Sequence, residues 1–134
     1  MTHPEHFLRT NKGLILVDDR ELAKKFLLEI ADVYNKGPKK LSDQEKLFLK
    51  SWLRKMFERS NNRDIDGEYR LHWMLTDSLD IYFQLSGLWY LCPKKSFAWL
   101  KENDIPAYAL FKKALSRDAE KTDIERLIDY LDEM

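Results

Sequence analysis

The chain has little cysteine, proline and glycine, and it carries no excess of either charge. Its 134 residues include 1 cysteine, 4 prolines and 4 glycines, and 23 basic residues balance 23 acidic ones. Because Cys92 is the one cysteine, an internal disulfide is excluded, which fits a reducing compartment. A balanced charge argues against non-specific nucleic-acid binding as the main role, since that role usually requires a basic excess.

Long apolar runs and a secretion signal are absent as well. No apolar stretch approaches the roughly 20 residues that a membrane-spanning helix needs. The N-terminal "MTHPEHFLRT" lacks the basic-then-apolar pattern of a signal peptide. These absences predict a soluble, cytoplasmic protein without a membrane partner, and the length is most simply that of one domain.

Helical periodicity is what the sequence has in abundance, with apolar residues three or four positions apart through most of its length. Helix starts are predicted at Asp18, Ser42 and Thr122, because each has an acidic residue three positions later, as in a capping box. The predicted fold is mainly α, an antiparallel bundle of about five to six helices over residues 18–134. A long central helix is expected at 68–91.

The second predicted helix, in "LSDQEKLFLKSWLRKMFERS", has a clear apolar stripe. Pro93 and Pro106 are placed to open two later helices, since proline is favoured in the first helical turn. The helix spacing predicts that the following residues of the second helix face inward: Phe48, Leu49, Trp52, Leu53, Met56 and Phe57.

Residues 1–17 have strand character and form a separate predicted appendage. "GLILV" follows Asn11, Lys12 and Gly13, and asparagine and glycine favour tight turns. The pattern predicts a β-hairpin of residues 6–10 against 13–17. Because an isolated hairpin is only marginally stable, it must pack on the helices or on another chain. Its free edge could recruit a strand from a partner.

Two groups of residues have metal-binding chemistry without the rest of a metal site. Asp64 and Asp66 have the spacing of a magnesium-binding pair, but no Gly-Ser turn precedes them and the local pattern is that of a loop. His3, Glu5 and His6 lie near the N-terminus, and no distant third ligand is evident. We therefore predict no metal ion and no cofactor.

Residues with catalytic chemistry are similarly isolated. His72 is a lone histidine on the central helix, where a packing role is commoner than general-base catalysis. Asp77 and Asp80 share one helix face, whereas a hydrolase pair requires carboxylates on opposite sides of a cleft. Cys92 lies beside a helix start that would lower its pKa, but the sequence offers it no histidine partner. No catalytic residue is predicted.

The strongest candidate site lies in "YFQLSGLWYLCPKKSFAWLKE", where aromatic rings precede a Cys-Pro break and two lysines. Free backbone N–H groups and the positive end of the helix dipole favour anions at a helix start. A phosphate would find these donors beside two ammonium groups, with rings for base stacking. In the alternative interpretation the rings are core and the lysines are solvated. The candidate substrate-binding residues are Tyr82, Trp89, Tyr90, Lys94 and Lys95.

The segment "IYFQLSGLWYLCPKKSFAWLKENDIPAYALFKKAL" resembles the C-terminal helical part of nucleotidyltransferases of the DNA polymerase β superfamily, of the aminoglycoside and lincosamide types. The shared features are the aromatic helix end, the break, Lys95 opening a helix, and the apolar-acidic-proline segment "NDIPAYAL". "GLILVDDRELAKKFLLEIADVYNKGP" is similar to the strand, Asp and helix that connect the catalytic sheet to that part. The resemblance implies a role in binding nucleotide or acceptor, with Lys95 as a contact.

The sequence departs from this family in two ways. It has no Gly-Ser turn followed by a paired-Asp strand, and Gly87 stands where the family often has an asparagine three residues before the tyrosine. The resemblance therefore implies a non-catalytic module that binds a nucleotide or a small polar acceptor, or that docks to a separate catalytic subunit.

Two alternatives stay open beside this hypothesis. One is an RNA-cleaving or toxin-type bundle of the HEPN kind, although Arg70-Leu71-His72 lacks the required spacing of arginine and histidine. The other is a regulatory bundle without enzymatic activity, which binds another protein or forms a homodimer.

Overall fold

The computed structural model describes residues 22–62 and 64–134, and this part of the chain is mainly helical. Six helices cover 78% of the described residues, which contain no strand. The mainly α character that the sequence predicts is confirmed. The predicted hairpin, residues 6–10 against 13–17, and the predicted helix start at Asp18 lie outside the described residues.

The chain divides into two compact units, residues 1–39 and 40–134. The sequence analysis placed the only boundary after residue 17, whereas in the structure the first helix belongs to the N-terminal unit. The second unit contains the other five helices. The helices are α1 (Leu22–Lys36), α2 (Asp43–Arg59), α3 (Ile65–Ser86), α4 (Pro93–Asn103), α5 (Ile105–Ala114) and α6 (Lys121–Asp132).

Helix α1 ends at Lys36, directly before Gly37 and Pro38, two residue types that favour a helix end. Gly37 has a φ of 78°, in the left-handed region that glycine adopts without strain, and its N–H donates to the carbonyl of Tyr34 over 3.2 Å. Pro38 follows and cannot continue the helix. The apolar stripe is only partly covered, because Leu22 and Tyr34 are exposed.

The core of the second unit lies between antiparallel helices. Arg54 of α2 pairs with Asp129 of α6 at 2.9 Å, and Lys121, at the other end of α6, lies over the Phe57 ring at 5.8 Å. Since residue numbers rise along one helix as they fall along the other, α2 and α6 are antiparallel. Helix α5 packs against α4 and α6, and α2 packs against α3. The side chains with almost no exposure include Leu53, Met74, Leu100, Phe111, Leu127, Ile128 and Leu131.

The start of α2 confirms the predicted cap at Ser42. Its hydroxyl oxygen accepts a hydrogen bond from the N–H of Glu45 over 3.2 Å, which satisfies one of the free donors of the first turn. The Glu45 carboxylate in turn accepts from the Ser42 hydroxyl, also at 3.2 Å. This differs from a full capping box, in which the glutamate would bind the cap's own N–H.

Helix α3 is displaced from its predicted span of 68–91. It begins at Ile65 because the Asp64 carboxylate caps it, accepting from the Gly67 N–H over 2.7 Å. It ends at Ser86 because Gly87 adopts a φ of 70° and the Leu88 N–H donates to the carbonyl of Phe83 over 2.9 Å. This is a Schellman motif, for which glycine is the favoured residue.

Two further predictions are corrected. Phe48 does not face inward, since 70% of its side chain is exposed, whereas Leu53 and Met56 are buried as predicted. Helix α6 begins at Lys121 rather than Thr122, and the box partner is Asp123, whose carboxylate accepts from the N–H of Glu120 over 2.9 Å.

Candidate functional site

Tyr82 is a core residue of α3. Only 3% of it is exposed, and its ring meets the rings of Phe83 and Phe111 edge-on at 5.2 and 6.1 Å. Its hydroxyl donates to the carboxylate of Asp104 over 2.5 Å. Tyr82 therefore does not present the free stacking face that its predicted role in ligand binding requires, because both the ring and the hydroxyl are engaged inside the bundle.

Trp89 and Tyr90 lie in the connection between α3 and α4, rather than at the end of a helix as the sequence predicted. Both are half-buried. The Tyr90 ring is tilted against Phe83, with 6.2 Å between ring centroids. The connection exists because the α3 cap at Gly87 comes before these two residues and Pro93 opens α4 after them.

Lys94 and Lys95 are exposed in the first turn of α4, where the sequence placed them. The side chain of Cys92, at the cap position, makes no capping hydrogen bond. Neither lysine lines either of two clefts whose described residues belong to the second unit. One, of about 410 Å³, lies between the start of α2 and Gln84, and the other, of about 390 Å³, lies where the turn after α2 meets Ala119 and Lys121.

A hydrogen-bonded cluster of Asp104, Tyr82 and Tyr130, which was not predicted from the sequence, joins three helices. Asp104 accepts from Tyr82 of α3, from the hydroxyl of Tyr130 of α6 at 2.9 Å, and from the N–H of Ala107 in α5 at 3.2 Å. One side chain therefore caps α5 and ties α3 and α6 to its start. The Asp-x-Pro order of "NDIP", typical of a capped helix start, is the sequence signal that could have identified it.

The hydrogen bonds at Asp104 change the pKa values of the cluster. Burial acts to raise the pKa of Asp104, but the bonds from Tyr82, Ala107 and Tyr130 together outweigh it and hold the pKa below its ordinary value. Burial, followed by the bond to Asp104, raises the pKa of Tyr82 and of Tyr130. At neutral pH the cluster therefore consists of one ionised carboxylate and two neutral phenols. In this state each phenol can donate its hydrogen bond to Asp104, which suits a structural role in joining the helices.

The acidic residues considered as metal ligands, Asp64 and Asp66, and as a hydrolase pair, Asp77 and Asp80, have local partners. Asp64 caps α3, and Asp66 accepts from the Arg70 guanidinium at 2.9 Å. Asp77 accepts from the indole N–H of Trp73 at 2.8 Å, and Asp80 accepts from the Gln84 amide at 3.1 Å. Within residues 22–62 and 64–134, no three histidine, cysteine, aspartate or glutamate side chains are grouped as metal ligands would be.

An exposed apolar surface runs across α2 and α3. Ile65 is 88% exposed, Tyr69 70% and Trp73 47%, and their spacing of four residues places them in one row on α3. Phe48 and Trp52 form the corresponding row on α2. The two rows meet where Trp52 and Trp73 pack edge to face, with 5.8 Å between ring centroids and 72° between planes. We call these five residues the apolar face.

Trp73 is held in place within the apolar face. Its indole N–H is satisfied by Asp77 one turn later on the same helix, and Trp52 supports one side of its ring. The sequence analysis assigned no role to Tyr69 or Trp73. The spacing of Ile65, Tyr69 and Trp73 was visible in the sequence, but it did not reveal that all three side chains are exposed.

Over the described residues the fold is mainly helical, with an exposed apolar face and with Asp104 as a structural tie between helices. No protein-family model matches the chain, and neither a curated protein nor a solved structure matches it. Among the helices of the described residues, none is both long and apolar enough to cross a membrane.

Proposed function

We propose that this protein is a non-catalytic helical module that binds a protein through its apolar face. The observation that carries the proposal is the exposure of Ile65, Tyr69 and Trp73 in one row on α3, which the Trp52–Trp73 contact joins to the row of exposed Phe48 on α2. Exposed apolar surface that is contiguous, rather than scattered, is typical of interaction sites. Tryptophan and tyrosine are also the residues most enriched among those that dominate binding energy.

The fixed orientation of the Trp73 ring supports a role for the apolar face in binding a partner. Trp73 is fixed by Asp77 and Trp52, so little side-chain freedom remains to be lost when a partner covers it. Tyr69 projects one turn away with a free ring face, being 70% exposed. A partner that presents an apolar helix would bury both rings in one contact, as in helix-in-groove recognition.

Photo-crosslinking in the producing cells tests this proposal. A benzophenone amino acid at position 69 should give crosslinked protein adducts, since the apolar face would be covered. The matched control is the same amino acid at Leu115, an apolar residue that directly follows α5 and is 45% exposed. Adducts at position 69 and few at position 115 support the proposal, whereas equal yields at the two positions, or none at position 69, would contradict it.

A second candidate function is the binding of a nucleotide or another phosphate at the start of α4. It is favoured by the exposure of Lys94 and Lys95 side by side in the first turn, without a side-chain cap from Cys92. Trp89 and Tyr90 would supply the ring surface, and Tyr82 would have no direct contact. A separate catalytic subunit, as the resemblance to nucleotidyltransferases implies, would then be the docking partner in the cytoplasm.

Titration calorimetry decides the second candidate. ATP and GTP should release or absorb heat with the folded protein, and the Lys94→Ala/Lys95→Ala variant should weaken binding by about tenfold or more, as expected for two lost phosphate contacts. An aminoglycoside tests the acceptor side. No heat with any of the three, for protein whose fold is confirmed by circular dichroism, would contradict this function.

A further inference from the structure

Along the row of α2 that contains Phe48 and Trp52, the charged residues are separated by sign. Lys55 and Arg59 lie three and seven residues after Trp52, on the same side of α2, and both are exposed. Glu45 lies seven residues before Trp52 and is exposed at the opposite end. The apolar face therefore has a basic end, at the C-terminus of α2, and an acidic end, at its N-terminus.

Helix α3 adds to the acidic end. Glu45 and Gln84 line the same cleft, and the Gln84 amide donates to Asp80 over 3.1 Å, so the acidic side chain of Asp80 lies near the start of α2. Asp77 lies two turns before Gln84 and one turn after Trp73. At the basic end, the negative charge of Asp66 is paired with Arg70 at 2.9 Å.

We infer that a second copy of this chain covers the apolar face, in a two-fold dimer in which the two α2 helices run antiparallel. This inference rests on the proposed function and names its partner. A two-fold interface brings the same surface of both molecules together, so a surface with one basic and one acidic end is complementary to itself when it is turned end for end.

The helix spacing sets the residue pairs of this dimer. In the row Glu45, Phe48, Trp52, Lys55 and Arg59, successive residues are three or four apart, which is the spacing of a coiled-coil seam. Antiparallel pairing about Trp52 places Arg59 of each copy opposite Glu45 of the other. Phe48 then lies opposite the aliphatic part of Lys55, which can cover an apolar ring while its ammonium group stays in water.

The alternative two-fold arrangement is disfavoured by the same charges. In this alternative the α2 helices of the two copies run in the same direction, and α2 of one copy faces α3 of the other. Glu45 of one copy would then meet Asp80 of the other, and like charges across an interface oppose association. The antiparallel arrangement also brings the two Trp52–Trp73 pairs together at the centre. Binding energy concentrates at such central, well-packed aromatic residues, with charged residues at the rim.

Sedimentation equilibrium of the full chain, with charge-reversed variants, tests the inference. The wild type should be a dimer in reversible equilibrium with monomer. Arg59→Glu and Glu45→Arg should each raise the dimer dissociation constant by about tenfold or more, because each creates two like-charge contacts. An equimolar mixture of the two variants should recover the wild-type constant to within about threefold, since the heterodimer pairs opposite charges at both ends.

The mixture also controls for folding, since a variant that fails to fold cannot restore dimerisation. A wild type that stays monomeric at millimolar concentration overturns the inference, and so does a mixture no tighter than the separate variants. If the wild type is monomeric while the benzophenone at position 69 still crosslinks to another protein in cells, self-association is wrong and the proposed function stands. If both fail, the proposed function fails as well.

Discussion

Replacing Asp104 with alanine is expected to lower the free energy of unfolding by about 3 kcal/mol. The change removes the shared acceptor of Tyr82 and Tyr130 and the cap of α5 in one step. Because Tyr82 is only 3% exposed, water does not replace its lost acceptor. A buried hydroxyl left unpaired costs about 1–3 kcal/mol, and a lost helix cap about 1 kcal/mol.

Urea unfolding followed by tryptophan fluorescence measures this effect. Asp132→Ala is the matched control, because Asp132 is an acidic residue of α6 that is half exposed and 3.5 Å from Arg54. We expect that control to cost about 0.5 kcal/mol or less, as for a surface ion pair. Tyr82→Phe should cost more than Tyr130→Phe, since Tyr82 is more deeply buried. An Asp104→Ala variant as stable as Asp132→Ala would contradict the role of the cluster.

The difference in unfolding free energy between the wild type and Asp104→Ala is expected to depend on pH. Since the folded-state pKa of Asp104 is lowered, its contribution to stability is complete above the unfolded pKa of about 3.9 and is lost as pH falls through the folded value. Since the pKa values of Tyr82 and Tyr130 are raised, their contribution is complete below about pH 10 and is lost as pH rises through the folded values.

The difference in unfolding free energy between wild type and Asp104→Ala should therefore be constant from about pH 5 to 9 and narrow outside that range. Unfolding curves recorded across the pH range measure it. A difference that changed steadily between pH 5 and 9 would show that groups other than Asp104 and its two tyrosines govern the effect.

Replacing Tyr69 with alanine is expected to weaken association through the apolar face by about thirtyfold or more, the usual loss on truncating a central aromatic residue. Tyr69 is 70% exposed, so the change should alter the free energy of unfolding by about 0.5 kcal/mol or less. The large effect on association and the small effect on folding together identify a binding residue.

The matched control for Tyr69 is Leu115→Ala, which also removes an exposed apolar side chain but lies at the C-terminal cap of α5, away from the apolar face. Sedimentation equilibrium and urea unfolding are measured for both variants. Association that is equally weakened by the two changes would indicate a general loss of surface hydrophobicity. Association unchanged by Tyr69→Ala would remove the apolar face from the interface.

Much of the fold was predictable because periodicity and caps are local. The apolar spacing predicted the helices, and Ser42, Gly37 and Pro93 marked boundaries that the structure has. The end of α3 was missed because the apolar pattern continues through Trp89, while the chain direction is set by the left-handed conformation at Gly87. Apolar residues after a cap preserve the spacing without extending the helix.

The candidate site was less predictable because it depends on which helix faces stay uncovered. The sequence analysis placed Phe48 in the core and Tyr82 on a binding surface, and the structure exposes the first and buries the second. Both residues lie on apolar stripes, and periodicity does not distinguish a stripe covered by a neighbouring helix from one left open. The role of Asp104 depends on contacts with residues 22 and 26 positions away, which local patterns do not show.

Hydroxyl-radical footprinting tests the central claim, that protein covers the apolar face, most directly. The oxidation rates of Tyr69 and Trp73 should fall severalfold between nanomolar and high micromolar protein, and fall similarly in intact producing cells. The rate of half-buried Tyr108 on α5 should stay constant. Rates for Tyr69 and Trp73 that remain at the dilute value under every condition would show that the face stays in contact with water, and would contradict the account.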